Sequence, residues 1–455
     1  MERRRLYGLG LIAYTVATRL ARAASRWDEW ALHYATYNND AVVALESGDI
    51  PALMTAWAGL HPPGYPILHA VVDLAWGAPL AWLLMSAVFS VVAVLAMVRA
   101  HPTTLLPALL LATDPVQLHY GAEVNNYPMG VMVLALAWMA HRRDEHRLLA
   151  LCGVAACWTH VMVAAGVGVL AVASRRRGPV LAAMALSAAP LAPGVFDLLS
   201  SGSAATQPPL FLMQSVNDAV ARFGLWWVVL FPVGLLGATR ELKSSQLWLA
   251  LASFWVAMVA LKVAAPHQFP YAVFLGIPAV GLLAAGTEGR RWLSSAVLVV
   301  GLIRGAHGAH SEGLRVLAIV EDLGRSRAID MVLNDLGAEE TSPAVILVRG
   351  PGLPDDDKRH VSPVLWRLPP WKRFERVPVD GDPAVLGHPY SVDGVRLYTF
   401  AHPRESMGLI RGSAVYTVLY DGAEQNPERF KTIGSDTEPT WKRAGSDLWS
   451  VTSVP

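Results

Sequence analysis

Apolar runs of about 17 to 25 residues, each long enough for a helix to cross a bilayer, recur from the N-terminus to about residue 305. Basic clusters fall at every second junction between them. "ERRR" precedes the first run, and "VRAH", "HRRDEHR", "SRRRG", "TRELK" and "EGRR" follow. Chains threaded back and forth through a membrane keep Lys and Arg on the cytoplasmic side, so this alternation constrains the fold more than any other feature. Spans are read at 6–24, 79–99, 103–120, 125–141, 147–159, 160–173, 179–199, 223–239, 246–264, 269–286 and 291–305. Two of them, 147–159 and 160–173, are short. About eleven spans put the N-terminus in the cytoplasm and the tail from 306 outside. The segment "GYPILHAVVDLAW" (64–76) is too short to cross, and a crossing there would turn the basic loops outward. It reads as an interfacial or re-entrant helix.

The composition agrees. Of 455 residues, 53% are hydrophobic and 16% charged, against about a quarter charged in soluble domains. A net charge of +1 leaves no nucleic-acid footprint. The two cysteines, Cys152 and Cys157, stand five apart in one apolar run, which argues against a disulfide or a metal site. Residues 306–455 carry charges, Pro and Gly in soluble proportions. There "GLRVLAIVEDLGRSRAIDMVLNDLG" reads as helical, and "AVILVRG", "RFERVPVDG", "VRLYTFA" and "AVYTVLY" read as strands. The expected architecture is an all-α polytopic membrane bundle (1–305) with a small extracytoplasmic α/β domain (306–455).

The first outer loop, 25–78, has helical signals of its own. In "NNDAVVALESG" Asn39 or Asp40 suits an N-cap and Gly48 a stop. In "DIPALMTAW" Asp49 precedes Pro51, which is harmless in a first turn. Ahead of these, "RWDEWALHY" sets Asp28 and Glu29 between two tryptophans at a membrane edge. A partly desolvated carboxylate there accepts a proton more readily. It could serve as the base that a poorly nucleophilic hydroxyl or amine requires.

The order of motifs carries a resemblance. "DEWALHYATYNNDAVVALESGD" after the first span, "HPPGYPIL" about 30 residues on, and "ATDPVQLHYGAEVNNYPMGV" (112–131) resemble the GT-C superfamily of membrane glycosyltransferases. The nearest branch is that of the protein mannosyltransferases and lipid A aminoarabinose transferases. Weaker echoes are "WTHVMVAAGVGVL" and "PHQFPYAVFLGIPAVGLLAAG". The resemblance spans roughly residues 1–290, and it requires the first span to be kept as an anchor although "ARAA" resembles a signal-peptide cleavage site.

The resemblance implies an inverting transferase of the bacterial inner (plasma) membrane. It would take a hexose or pentose from a polyprenyl-phosphate donor and pass it to a glycan, lipid or protein acceptor on the outer face. It implies Asp28 as general base. Glu29 stands either as a second catalytic acid or as an acid that orients the loop. Glu123 matches the second-loop acid, and its other reading is an exposed acid at a helix N-terminus. His61 matches the HPP histidine, and its other reading is a turn residue. Tyr127 matches the family tyrosine and also suits an interfacial aromatic. A divalent metal ion, if used, would fall to Asp28, Glu123 and His61.

A cation should hold the lipid phosphate. The family often places an Arg before a Tyr at a late span, where this chain has "HQFPYAVF". Lys262, His267 and Arg304 are the candidates, with Arg222 behind them. Asp114 reads as a cap for the turn at Pro115, His160 as structural, and "AHGAHSEG" with His307 and His310 as a linker. The alternative function is a catalytically inactive homologue or a transporter of lipids or sugar-lipids. A transporter would show paired charges within the bilayer and broken helices, neither of which the sequence displays.

Overall fold

The computed structural model describes residues 2–25, 44–45, 47–55, 62–76, 78–121, 125–192, 232–234, 236–237, 273–274 and 276–325, together with seven strands between 344 and 453. The chain divides into two compact units. One is Met1–Ala24 with Asp40–Trp76 and Leu80–Leu314; the other is Ser25–Asn39 with Gly77–Pro79 and Arg315–Pro455.

The first unit is helical. Its main elements are α1 (Glu2–Ser25), α2 (Ile50–Thr55), α3 (Gly64–Trp76), α4 (Ala78–Ala100), α5 (Leu106–Thr113) and α6 (Pro115–Tyr120). After these come α7 (Asn126–Arg142), α8 (His146–Thr159), α9 (Val161–Ala173), α10 (Arg177–Ala188), α11 (Gly276–Thr287) and α12 (Arg291–Arg325). Among the described residues one stretch, Arg291–His310, is apolar and long enough by length and composition to cross a membrane. The expected spans 223–239 and 246–264 fall almost wholly outside the described residues.

α7 is buried nearly all round, from Tyr127 through Val131, Leu134 and Trp138 to Ala140. α8, α9 and α11 pack against it. Outer helices present large apolar side chains to the surroundings, among them Leu84 and Val88 of α4, Leu186 of α10, and Trp292, Val299, Leu302 and Ile303 of α12. At about 1.5 Å per residue, α8 and α9 are each about 20 Å long. His160 separates them in extended conformation, and its Nδ1 accepts the Met162 N–H at 3.0 Å to cap α9. That is the structural role expected of it.

Two sequence readings are corrected. The apolar run 103–120 is not one helix. Pro115 has no N–H to continue α5 and pushes the preceding residue to extended backbone. Asp114 accordingly has φ −63°, ψ 124°, and α6 starts afresh after it. The stretch "AHGAHSEG" is likewise no linker, since α12 runs through it for 35 residues. Its glycines are packing positions. A Cβ on Gly301 would collide with Leu110. On Gly305 it would stand 2.8 Å from Thr113 Cβ, and on Gly308 2.5 Å from Pro115 Cγ. Close packing on α5 and α6 thus outweighs the helix cost of Gly, about 1 kcal/mol each. His307 and His310 are exposed on this helix.

Helix ends sort into two groups. At one end Arg142 Nε donates to the Ala100 carbonyl at 3.0 Å, Trp138 Nε1 donates to His101 Nε2 at 3.3 Å, and Arg176 lies 3.3 Å from His146. These contacts join "VRAH", "HRRDEHR" and "SRRRG", three clusters that the charge pattern assigns to one side. Buried His101 is held neutral, its pKa lowered to about 3 by burial and then by Arg142. At the opposite end Asn126 Nδ2 donates to the Thr159 carbonyl at 2.9 Å, and Gly64 lies against Trp158.

In the second unit seven strands form one mixed sheet: β1 (Ala344–Arg349), β2 (Glu375–Arg376), β3 (Tyr390–Val392), β4 (Val395–Thr399), β5 (Ala414–Leu419), β6 (Lys442–Ala444) and β7 (Asp447–Ser453). Their spatial order is β2-β3-β4-β1-β5-β7-β6. β1 lies parallel between β4 and β5, with Ala344 opposite both Val395 and Ala414. The outer pairs are antiparallel. β1, β2, β4 and β5 fall within the four runs read as strands.

Candidate functional site

α1 turns one face inward, at Leu11, Thr15, Arg19 and Arg22. Spacings of four, four and three keep these residues on one stripe of a helix. The stripe changes character along its length, from an apolar side chain to two guanidiniums buried at 2% and 4% exposure. Ionisable side chains inside an apolar helix are expensive and mark function by default. The spacing of Arg19 and Arg22 within the apolar run 6–24 is the signal for them in the sequence.

Both arginines reach the α5–α6 break. Arg22 Nη2 lies 2.8 Å from His119 Nδ1. Arginine only donates, so Nδ1 accepts and the ring proton sits on Nε2. Arg19 Nη1 and Nη2 reach the Ala112 carbonyl at 3.4 and 3.3 Å. From α4, Ser90 Oγ donates to the Gly121 carbonyl at 2.7 Å. From α6, Gln117 Nε2 donates to the Val273 carbonyl at 2.6 Å.

The strongest contact of the group is ionic. Arg304 Nη1 of α12 stands 2.7 Å from Asp114 Oδ1, with both side chains more than nine-tenths buried. Asp114 stands at the N-cap position expected of it, and its carboxylate reaches across to α12. Two of the glycines that bring α12 close, Gly301 and Gly305, flank Arg304 and share its buried face. The buried ion pair and the break beside it are the two features that the sequence did not display.

Tyr127 is buried rather than at an edge. Its ring lies 5.9 Å from those of Tyr120 and Phe274 and 6.4 Å from His160. Edge-to-face pairs of this kind add about 0.5–1.5 kcal/mol beyond burial. Asp28, Glu29, His61, Glu123, Lys262, His267 and Arg222 lie outside the described residues. Of the candidates named from sequence, the structure therefore describes Arg304 and Tyr127. Among the described residues no three His, Cys, Asp or Glu side chains converge as a metal site would require.

The arrangement gathers guanidiniums around one carboxylate at a broken helix. Such a cluster can hold an anion through charge-assisted hydrogen bonds in a low-dielectric setting. Compared with protein-family models, curated proteins and solved structures, the chain gives no match.

Proposed function

We propose that the chain is a membrane-embedded inverting glycosyltransferase that uses a polyprenyl-phosphate sugar. The observation that carries this reading is the Arg22–His119 hydrogen bond. It joins the ends of the two helices that lead into the candidate acids: Asp28 and Glu29 follow α1, and Glu123 follows α6. Arg304, oriented by Asp114, belongs to the same cluster. In the charge topology this end faces outward, where a lipid-linked donor would present its sugar. The apolar side chains exposed on the outer helices suit contact with lipid. The tail, with its central parallel strands, forms a small extracytoplasmic α/β domain in this reading.

The chemistry is a single displacement. Asp28 takes the proton of the acceptor hydroxyl or amine. The acceptor atom bonds to the anomeric carbon as the bond from that carbon to the phosphate oxygen breaks. The electron pair leaves with the lipid monophosphate, and configuration at the carbon inverts. Arginines near the phosphate stabilise the charge that develops on it. Glu123 hydrogen-bonds the sugar.

The test is turnover. The full chain in lipid is offered a panel of polyprenyl-phosphate sugars, and release of the free lipid phosphate is followed. A general base is worth about 10²–10⁴-fold, so Asp28→Asn should lose at least about a hundredfold and Glu123→Gln a smaller factor. Turnover unchanged in Asp28→Asn removes the base assignment.

A second reading is favoured by the buried Asp114–Arg304 pair and the broken helix beside it, both common in transporters. On that reading the protein moves a lipid-linked sugar across the membrane unchanged. Appearance of intact labelled donor in the opposite leaflet of protein-containing vesicles, with no lipid phosphate released, would select it.

A further inference from the structure

Arg19 has more donors than the described structure gives it acceptors. A guanidinium carries five N–H donors and accepts nothing. Its contacts are the Ala112 carbonyl, at 3.3 and 3.4 Å, and Thr18 Oγ1, at 3.4 Å. All exceed the usual 2.7–3.2 Å. Nε has no hydrogen-bond partner among the described residues, and the residue is 2% exposed. Burying a cation is unfavourable unless its charge is met. The carboxylate that acts on it is Asp114, and that carboxylate is in contact with Arg304 at 2.7 Å.

At Gly121 a side chain would collide with the Gln117 carbonyl and would stand 3.3 Å from both Arg19 Nε and Ser90 Oγ. Glycine is therefore the residue that fits where the chain passes Arg19. Arg22 lies on the same stripe of α1, three residues on.

We propose that Arg19 is an anion-binding residue whose ligand is the phosphate of a monoester. One phosphate oxygen takes the Nε–H in the plane of the guanidinium, with Arg22 on the same stripe of α1. A planar fork suits a phosphate where a lone ammonium would supply only charge. This deepens the transferase reading by naming a second cation for the lipid phosphate, beside Arg304. Its test reads binding alone, so the two ideas fail separately.

The full chain in detergent is titrated by calorimetry with a short-chain prenyl monophosphate, with inorganic phosphate and with the matching prenyl alcohol. The prenyl monophosphate should bind the wild type. Arg19→Gln should weaken it by about tenfold or more, the loss of one good charge-assisted contact, and Arg19→Lys by an intermediate factor. Prenyl alcohol should bind more weakly than the monophosphate and not respond to Arg19. If the monophosphate binds more tightly than inorganic phosphate, the ligand is a lipid; if the two are equal, it is a soluble phosphate. A folded Arg19→Gln protein with wild-type affinity overturns the proposal, as does alcohol that binds as tightly as monophosphate. Should Arg19→Gln not fold, Arg19→Lys decides, because it keeps the buried charge and removes the Nε–H. Unchanged phosphate affinity in Arg19→Lys overturns the proposal.

Turnover with normal phosphate binding in the Arg19 variants sinks this inference and leaves the transferase reading standing. Arg19-dependent phosphate binding without turnover on any sugar donor does the reverse.

Discussion

Asp114→Asn keeps the shape of the side chain at the α5–α6 break and removes its charge. The partner, Arg304, then stays buried without the carboxylate 2.7 Å away. Two unit charges about 4 Å apart attract by about 4 kcal/mol at an effective dielectric constant of about 20. Removing one member of a buried pair typically costs about 3–5 kcal/mol, because the other charge is left uncompensated. Asp114→Asn and Arg304→Met should each lose stability of that order. Their combination should lose less than the sum by about 2–4 kcal/mol, since no charge remains stranded.

Thermal unfolding of the full chain, at fixed protein and detergent concentrations and followed by circular dichroism, reads this out. At about 2–4 °C per kcal/mol for a domain of this size class, each single change should lower the apparent Tm by roughly 6–20 °C. Two results would refute the reasoning. One is single changes within about 0.5 kcal/mol of wild type, the level of an exposed pair. The other is strict additivity in the double variant.

Other expectations are smaller in scope. Gly308→Ala places a methyl 2.5 Å from Pro115 Cγ and should destabilise by about 1–3 kcal/mol; Gly8→Ala, with nothing within 4 Å, should stabilise by up to about 1 kcal/mol. His101 should make stability pH-dependent. Its folded pKa, lowered to about 3, lies below the unfolded value near 6.5, so the unfolded chain binds the extra proton. Stability is then full above pH 6.5 and falls as pH falls, by about 2 kcal/mol between pH 7 and 5. His101→Asn should flatten that stretch of the unfolding-versus-pH curve, and a curve with unchanged slope would remove His101 as its source. Ser90→Ala, which deletes the 2.7 Å bond to the Gly121 carbonyl, should cost about 1–3 kcal/mol for the carbonyl left unpaired.

Where apolar periodicity is strong, sequence and structure agree. α4, α7, α8 and α9 lie within one residue of the runs that announce them, and α1 starts four residues ahead of its run, because burial and backbone satisfaction both favour helix there. The misreadings arise where one residue overrules its run. Hydropathy averages across Asp114-Pro115, but proline stereochemistry does not, so 103–120 breaks. The stretch "AHGAHSEG" looks like a linker to local propensity. Contact of Gly308 with Pro115, distant in sequence, makes it part of a helix face that continues from Gly301 and Gly305. Of the cluster, Arg304 was visible as a cation near a membrane edge. Its pairing with Asp114 spans 190 positions (304 − 114) and has no local signature. Arg19 and Arg22 are visible as charges in an apolar run, but only the packing of α1 against α5 and α6 shows that they face inward.

The continuity of α12 sets where the chain can be cut. A truncation at 305, the boundary that composition suggests, would end the helix one residue after Arg304. The last four carbonyls of any helix lack partners within it, so the end that carries the ion pair would fray. Gly308, and with it the contact to Pro115, would be lost altogether. A fragment meant to retain the Asp114–Arg304 pair must extend at least through Leu314, the last residue of the first unit. A shorter one would report the behaviour of a loosened end rather than that of the native cluster.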